Sequence, residues 1–101
     1  MENTFVNQIV LAGIVTGESE YKTNNTHFAK FTLRVGRQNS KGMDFIQCVA
    51  FGQTADLVHE LGLTEESWLK VKGSLERNKY TTADGTEKTI FRVVVSEAKP
   101  M

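Results

Sequence analysis

The stretch F-A-K-F-T-L-R-V-G-R, Phe28 to Arg37, limits what this chain can become more than any other. Ala29, Phe31, Leu33 and Val35 fall on one side at period two, and Phe28, Lys30, Thr32 and Arg34 on the other. Side chains of a β-strand point alternately to opposite faces, so this is a strand with one face suited to a core. The other face sets an aromatic ring among cations and carries no acid. A plain solvated face gives Lys, Thr and Arg equally well; a face for a polyanion with flat bases gives the ring as well.

Around it the chain supplies four more strands and one helix. Asn7–Val15 is a first strand, with Gly13 expected to mark a bulge or bend. Thr16–Thr26, with Asn24-Asn25 at its tip, reads as a connecting loop, and Gln38–Gly42 as a second. Asp44–Gly52 is a third strand of ambiguous parity: Phe45, Gln47, Val49 and Phe51 share one face, and Ile46, Cys48 and Ala50 the other. With the aromatic set inside it is an ordinary core strand. With the small set inside, two phenylalanines stand on a sheet surface, which marks a binding face.

Gln53–Leu61 is the one good helical stretch. Ala55, Leu57, Val58 and Leu61 form its apolar stripe, Asp56, His59 and Glu60 face out, and Gly62 ends it. His27 and His59 read as solitary surface histidines, without a second ligand at metal spacing. Ser67–Arg77 is strand four, with Leu69, Val71 and Leu75 on one side and Trp68, Lys70, Lys72 and Ser74 on the other. It continues through Asn78–Thr82 to an Asp84-Gly85 turn, and Lys88–Ser96 returns as strand five, making a hairpin arm. Five strands with the helix between the third and fourth match a small closed barrel, one domain over residues 1–101.

Bulk properties narrow the function. Twelve Lys and Arg balance twelve Asp and Glu, so net charge exerts no general pull on nucleic acid. The charges are sorted, however. Tyr21–Met43 holds Lys22, Lys30, Arg34, Arg37 and Lys41 and no acid, whereas Ala55–Ser67 holds Asp56, Glu60, Glu65 and Glu66 and no Lys or Arg. That predicts one positive and one negative face. Cys48 is the single cysteine, which excludes an intrachain disulfide and points to a reducing, cytoplasmic setting. No apolar run approaches the roughly 20 residues of a membrane span, and the N-terminus lacks a basic n-region. There is no phosphate loop, zinc ligand set, Ser/His/Asp motif or carboxylate pair, so neither an enzyme nor a cofactor is expected.

What remains is aromatics interleaved with cations: Phe28 with Lys30 and Arg34, Phe45 and Phe51 with Gln47, and Tyr80 with Arg77 and Lys79. Rings stack on bases and cations track phosphates, which binds single strands with little sequence preference.

The ordered set N-Q-I-V-L-A-G, F-T-L-R-V, D-F-I-Q-C-V-A-F-G, L-K-V-K-G-S-L-E and F-R-V-V-V, from about Asn7 to Val95, resembles the OB-fold domain of bacterial single-stranded DNA-binding proteins. The resemblance implies a five-stranded Greek-key barrel, all-β but for the one helix. It implies sequence-independent binding of single-stranded DNA in replication, recombination or repair, and a homo-oligomer, dimer or tetramer. Carried over by position, Phe45, Phe51 and Tyr80 become the stacking residues, which turns Ile46, Cys48 and Ala50 inward. Phe28, Lys30, Arg34, Arg37 and Lys41 around strand two join them as candidate DNA contacts, as do Lys72, Arg77 and Lys79 on strand four. The chain departs from the family at Asn39, where a loop aromatic is usual, and at Gln47, Glu76 and Asn78, where cations are usual. Trp68 does not fall on a stacking position. It follows Glu65-Glu66 and is read as packing against the helix end or a partner subunit; the competing reading lines it up with Lys70 and Lys72 as a stacker.

Family members usually continue into a disordered linker and an acidic tip that recruits replication and repair proteins. Here the sequence stops at Met101, which reads as a trimmed chain or a tail-less phage, plasmid or primosomal relative. The alternative function is an OB-fold adaptor in replication restart or assembly, working through protein contacts with weak DNA affinity.

Overall fold

The computed structural model describes residues 3–101. Its elements are β1 (Ile9–Lys22), β2 (Phe28–Gly36), β3 (Met43–Phe51), α1 (Gly52–Glu60), β4 (Trp68–Thr81) and β5 (Glu87–Pro100). The strands close into a barrel in the order β1-β2-β3-β5-β4. Every pairing is antiparallel except β3 with β5, which meet in parallel at Cys48–Val93 and Val49–Val94.

β1 is the strand that the alternation pattern underestimates. It runs to Lys22, so most of the expected Thr16–Thr26 loop is strand. Its first half, Ile9–Ile14, pairs with β4, and its second half, Ile14–Lys22, with β2. Residues 17–20 are exposed and the pairing with β2 shifts register across them, so no apolar period is left to read. The register shift that curls the strand lies between Thr16 and Glu20, at Gly17 with φ 73°, and not at Gly13. Gly13 is glycine for another reason: a β-carbon there would collide with the carbonyl oxygen of Arg34.

The core is the inward face of all five strands, capped by α1. Phe31, Leu33, Val15, Leu69, Val71 and Val93 are its largest fully buried side chains after Cys48 and Val49 are set apart. Cys48 and Ala50 are buried and Ile46 is half-buried, so the small set of β3 does face inward. Burial pushes the Cys48 thiol up to about 12, which keeps it protonated and inert. In α1, Ala55 and Val58 are buried while Leu57 is exposed, contrary to the expected stripe. At about 100° per residue Leu57 sits some 200° from Ala55, outside the narrow arc that a nine-residue helix turns to the barrel.

β4 and β5 run on past the barrel as a two-stranded arm. Leu75 shares the inward parity of Leu69 and Val71 but lies where the arm leaves the core, and is exposed. β5 extends beyond the expected Ser96 to Pro100. A register shift between Lys72 and Gly73 lets it keep pairing with β4 as far as Leu69–Pro100.

Candidate nucleic-acid interface

The outer face of β2 and β3 is fixed by its register. Phe28 lies opposite Phe51, Lys30 opposite Val49, Thr32 opposite Gln47 and Arg34 opposite Phe45. Phe45 is 66% exposed and Phe51 41%, whereas Val49, between Lys30 and Val94 in the pairing, is buried despite its outward parity. The Phe28 and Phe51 rings pack at 5.5 Å, tilted by 51°. Aromatic pairs prefer such offset geometry, so the two rings hold each other up as a platform.

Arg92 of β5 extends this face. Its guanidinium lies 5.7 Å from the Phe51 ring centroid, and it bonds Glu76 Oε1 at 2.7 Å. From Arg92 the outward-facing pairs of the arm continue through Asn78–Ile90 to Tyr80–Lys88. Tyr80 is 45% exposed. Phe45, Phe51, Arg92 and Tyr80 therefore stand on one outer surface that crosses from β3 over β5 to the arm.

Not every expected residue is on it. Alternation turns Arg77 and Lys79 to the reverse side of the arm from Tyr80, where Arg77 sits opposite the exposed Phe91. The cation sharing Tyr80's side is Lys88, which period-two reading of one strand could not show. Lys72 lies farther off, between Val10 of β1 and Glu97 of β5. Lys41 is exposed in the loop after β2. Arg37 is engaged: its Nε and Nη2 donate to the Asp44 carboxylate at 2.9–3.3 Å. Hydrogen bonding from Arg37 holds the Asp44 carboxyl below the ordinary carboxylate range. Arg34 Nη2 is 3.7 Å from Glu66, so the acid-free block is partly neutralised by acids from other segments.

Two donors beneath this surface are unspent. The Nε atoms of Arg34 and Arg92 are buried and have no hydrogen-bond partner among the described residues. Buried N–H groups without acceptors are uncommon, and both lie beside stacking-competent rings.

On the flank, the histidines are not solitary. Asp56 Oδ1 accepts from the Tyr21 hydroxyl at 2.7 Å and lies 2.6 Å from His27 Nδ1. The His59 ring stacks on Tyr21 with centroids 3.8 Å apart. These contacts tie α1 to β1 and to the start of β2. The Gly52 amide adds a bond to the His27 carbonyl at 2.9 Å, so the clasp ends beside Phe28 and Phe51. Among the described residues no cluster of His, Cys, Asp and Glu could hold a metal ion, and no helix is long and apolar enough to cross a membrane.

Residues 6–101 match the model of the Single-strand binding protein family. Single-stranded DNA-binding protein 1 of Staphylococcus aureus (strain COL) is 34% identical over 96 residues, which cover 88% of this chain and 57% of that protein. The single-stranded DNA-binding protein of Fusobacterium nucleatum is 28% identical over 103 residues, 93% of this chain and 66% of that one. The chain thus spans a little over half the length of the Staphylococcus aureus relative. A solved structure described as Plasmodium falciparum SSB complex with ssDNA superposes with a TM-score of 0.81 at 22% identity, covering 100% of this chain and 97% of the other, and so shares its fold. The strand order, the helix between β3 and β4 and the match over nearly the whole chain agree: this is an OB-fold barrel, and the chain belongs to the single-strand binding protein family.

Proposed function

We propose that this chain binds single-stranded DNA, without sequence preference, across the outer face of β2 and β3 and onto the arm. The observation that carries the reading is one surface holding Phe45, Phe51 and Tyr80 exposed, with Arg92 over Phe51 and two arginine Nε donors unpaired. Bases stack on the rings, and the cations beside them track phosphates. The named activity of the relatives, single-stranded DNA binding, supports the same substrate. Affinity for oligo-dT should fall with salt at a log–log slope near −0.7 per phosphate contacted. Duplex DNA of the same length should compete poorly, because its bases are not free to stack. Equal competition by duplex sinks the stacking mechanism.

The active unit is a homo-oligomer. Pairing with β2 begins only at Ile14, so the first half of β1 keeps one open edge while its other edge pairs with β4. Val10 is 58% exposed on that half. An open apolar edge is a template for another strand, and a second copy of β1 satisfies it. Sedimentation at micromolar concentration should show a dimer or larger; a lone monomer contradicts this.

The adaptor reading keeps one observation in its favour: Arg37 and Arg92 are already paired with Asp44 and Glu76. An adaptor would show neither oligo-dT binding nor salt dependence.

A further inference from the structure

β2 begins at Phe28 and β3 ends at Phe51, so the two rings form the last pair of their ladder. Ladder ends open most easily, because the final pair is held from one side only. A ring pair that is to receive a base needs that end closed. The Gly52 amide, directly after Phe51, donates to the carbonyl of His27, directly before Phe28, at 2.9 Å. His27 is held in turn through its side chain, whose Nδ1 lies 2.6 Å from Asp56 Oδ1. The Tyr21 hydroxyl donates to the same oxygen at 2.7 Å. Tyr21 pairs with Ala29, the neighbour of Phe28, so the bonds run from β1 through α1 to the start of β2.

Chemistry sets the direction of these bonds. An ionised carboxylate has only lone pairs to offer, so the phenol and His27 Nδ1 both donate. His59 stacks flat on Tyr21 and keeps that ring from swinging away. Neither end of the His27–Asp56 bond belongs to the core, for the two side chains are 48% and 35% exposed. What distinguishes the network is its place, on both sides of the ring pair.

We infer that Tyr21, His27 and Asp56 are positioning residues of the Phe28–Phe51 platform. They fix the two backbone positions that flank the rings, residues 27 and 52, so that a base meets the Phe51 ring already in place. A ring fixed before binding gives up less freedom on binding, which raises affinity without a new contact. The inference rests on the proposed stacking at Phe51 and adds which residues prepare it.

The test is a pair of double-mutant cycles, read as affinity for a short oligo-dT well below the melting temperature of every variant. His27→Ala removes the Nδ1 bond and leaves the backbone carbonyl in place. Alone, it should weaken binding several-fold. Phe51→Ala in the parent should cost about 5- to 150-fold, one stacked base. In the His27→Ala background the same change should cost at least about threefold less, a coupling of the size found within one network. Tyr80→Ala, out on the arm, should cost the same in both backgrounds to within about twofold. His27→Asn, which keeps a donor near the place of Nδ1, should restore affinity. If His27→Ala does not fold, Tyr21→Phe runs the same cycle, because it removes one hydroxyl and keeps the ring on His59.

Losses at His27 and Phe51 that simply multiply overturn the inference and leave stacking at Phe51 standing. Coupling of equal size to Tyr80 overturns it too, because the variant then loosens the whole barrel. A lower melting temperature with unchanged affinity shows a clasp that serves stability alone, and also overturns it. No loss from Phe51→Ala in the parent removes the platform itself, and this inference falls with it.

Discussion

Asp56 shows how much one side chain can organise. Its carboxylate takes hydrogen bonds first from Tyr21 and then from His27, and these hold it below the ordinary carboxylate range. The same bond raises the Tyr21 phenol, which gives up a proton less readily beside an anion. A carboxyl whose folded value is lowered adds stability that is present above its unfolded value, about 3.9, and lost as pH falls through the folded one. Asp56→Asn should therefore melt lower than the parent at pH 7, with the difference shrinking as pH drops below about 4. A difference independent of pH would mean that shape alone, without charge, makes the clasp. The stacking residues carry a separate expectation. Phe45→Ala and Tyr80→Ala should each weaken oligo-dT binding by about 1–3 kcal/mol, the range usual for base-stacking aromatics in single-strand binders, this family among them. Both side chains face solvent, so melting temperatures should hold. Normal binding with a melting temperature several degrees lower would place that residue in the core.

At the scale of elements, alternation was legible in β2, whereas in β3 it left the parity open and the resemblance settled it. β2 reads from Ala29, Phe31 and Leu33 alone, and all three are buried as expected. The second half of β1 was illegible because Glu18, Ser19 and Glu20 point into solvent and leave no apolar period. Leu57 misled for the opposite reason, an apolar residue on a helix too short to bury it. The candidate site was half legible. Phe45, Phe51 and Tyr80 follow from parity and resemblance, but Lys88 and Arg92 enter only through cross-strand register, which one strand's sequence does not contain. Alternation within β4, which the sequence does contain, sends Arg77 and Lys79 behind the arm. The packing of β1 on β2 gives a sharp test. At Gly13 a β-carbon meets the Arg34 backbone, which cannot swing aside, so Gly13→Ala should destabilise by about 1–3 kcal/mol, as overpacking does. In a domain of this size each kcal/mol shifts the melting temperature by about 4–8 °C. A melt unchanged from the parent would show that β1 does not pass so close.

For the molecule as a whole, the sorted charges of the sequence do not become two clean faces. Glu66 approaches Arg34, Asp44 clamps Arg37 and Glu76 holds Arg92, so acids sit within the basic surface. A net charge of zero is then compatible with binding through rings and a few free donors rather than through a broad positive field. The proposed DNA path runs over the β2–β3 face and arm, with Glu66 at its edge beside Arg34. Backbone amide chemical-shift mapping on adding a short oligo-dT tests this path most directly. The largest changes should fall at Phe45, Phe51, Tyr80 and Arg92, with Asp56–Glu60 unmoved. Changes concentrated at Asp56–Glu60, with the aromatic residues silent, would contradict it.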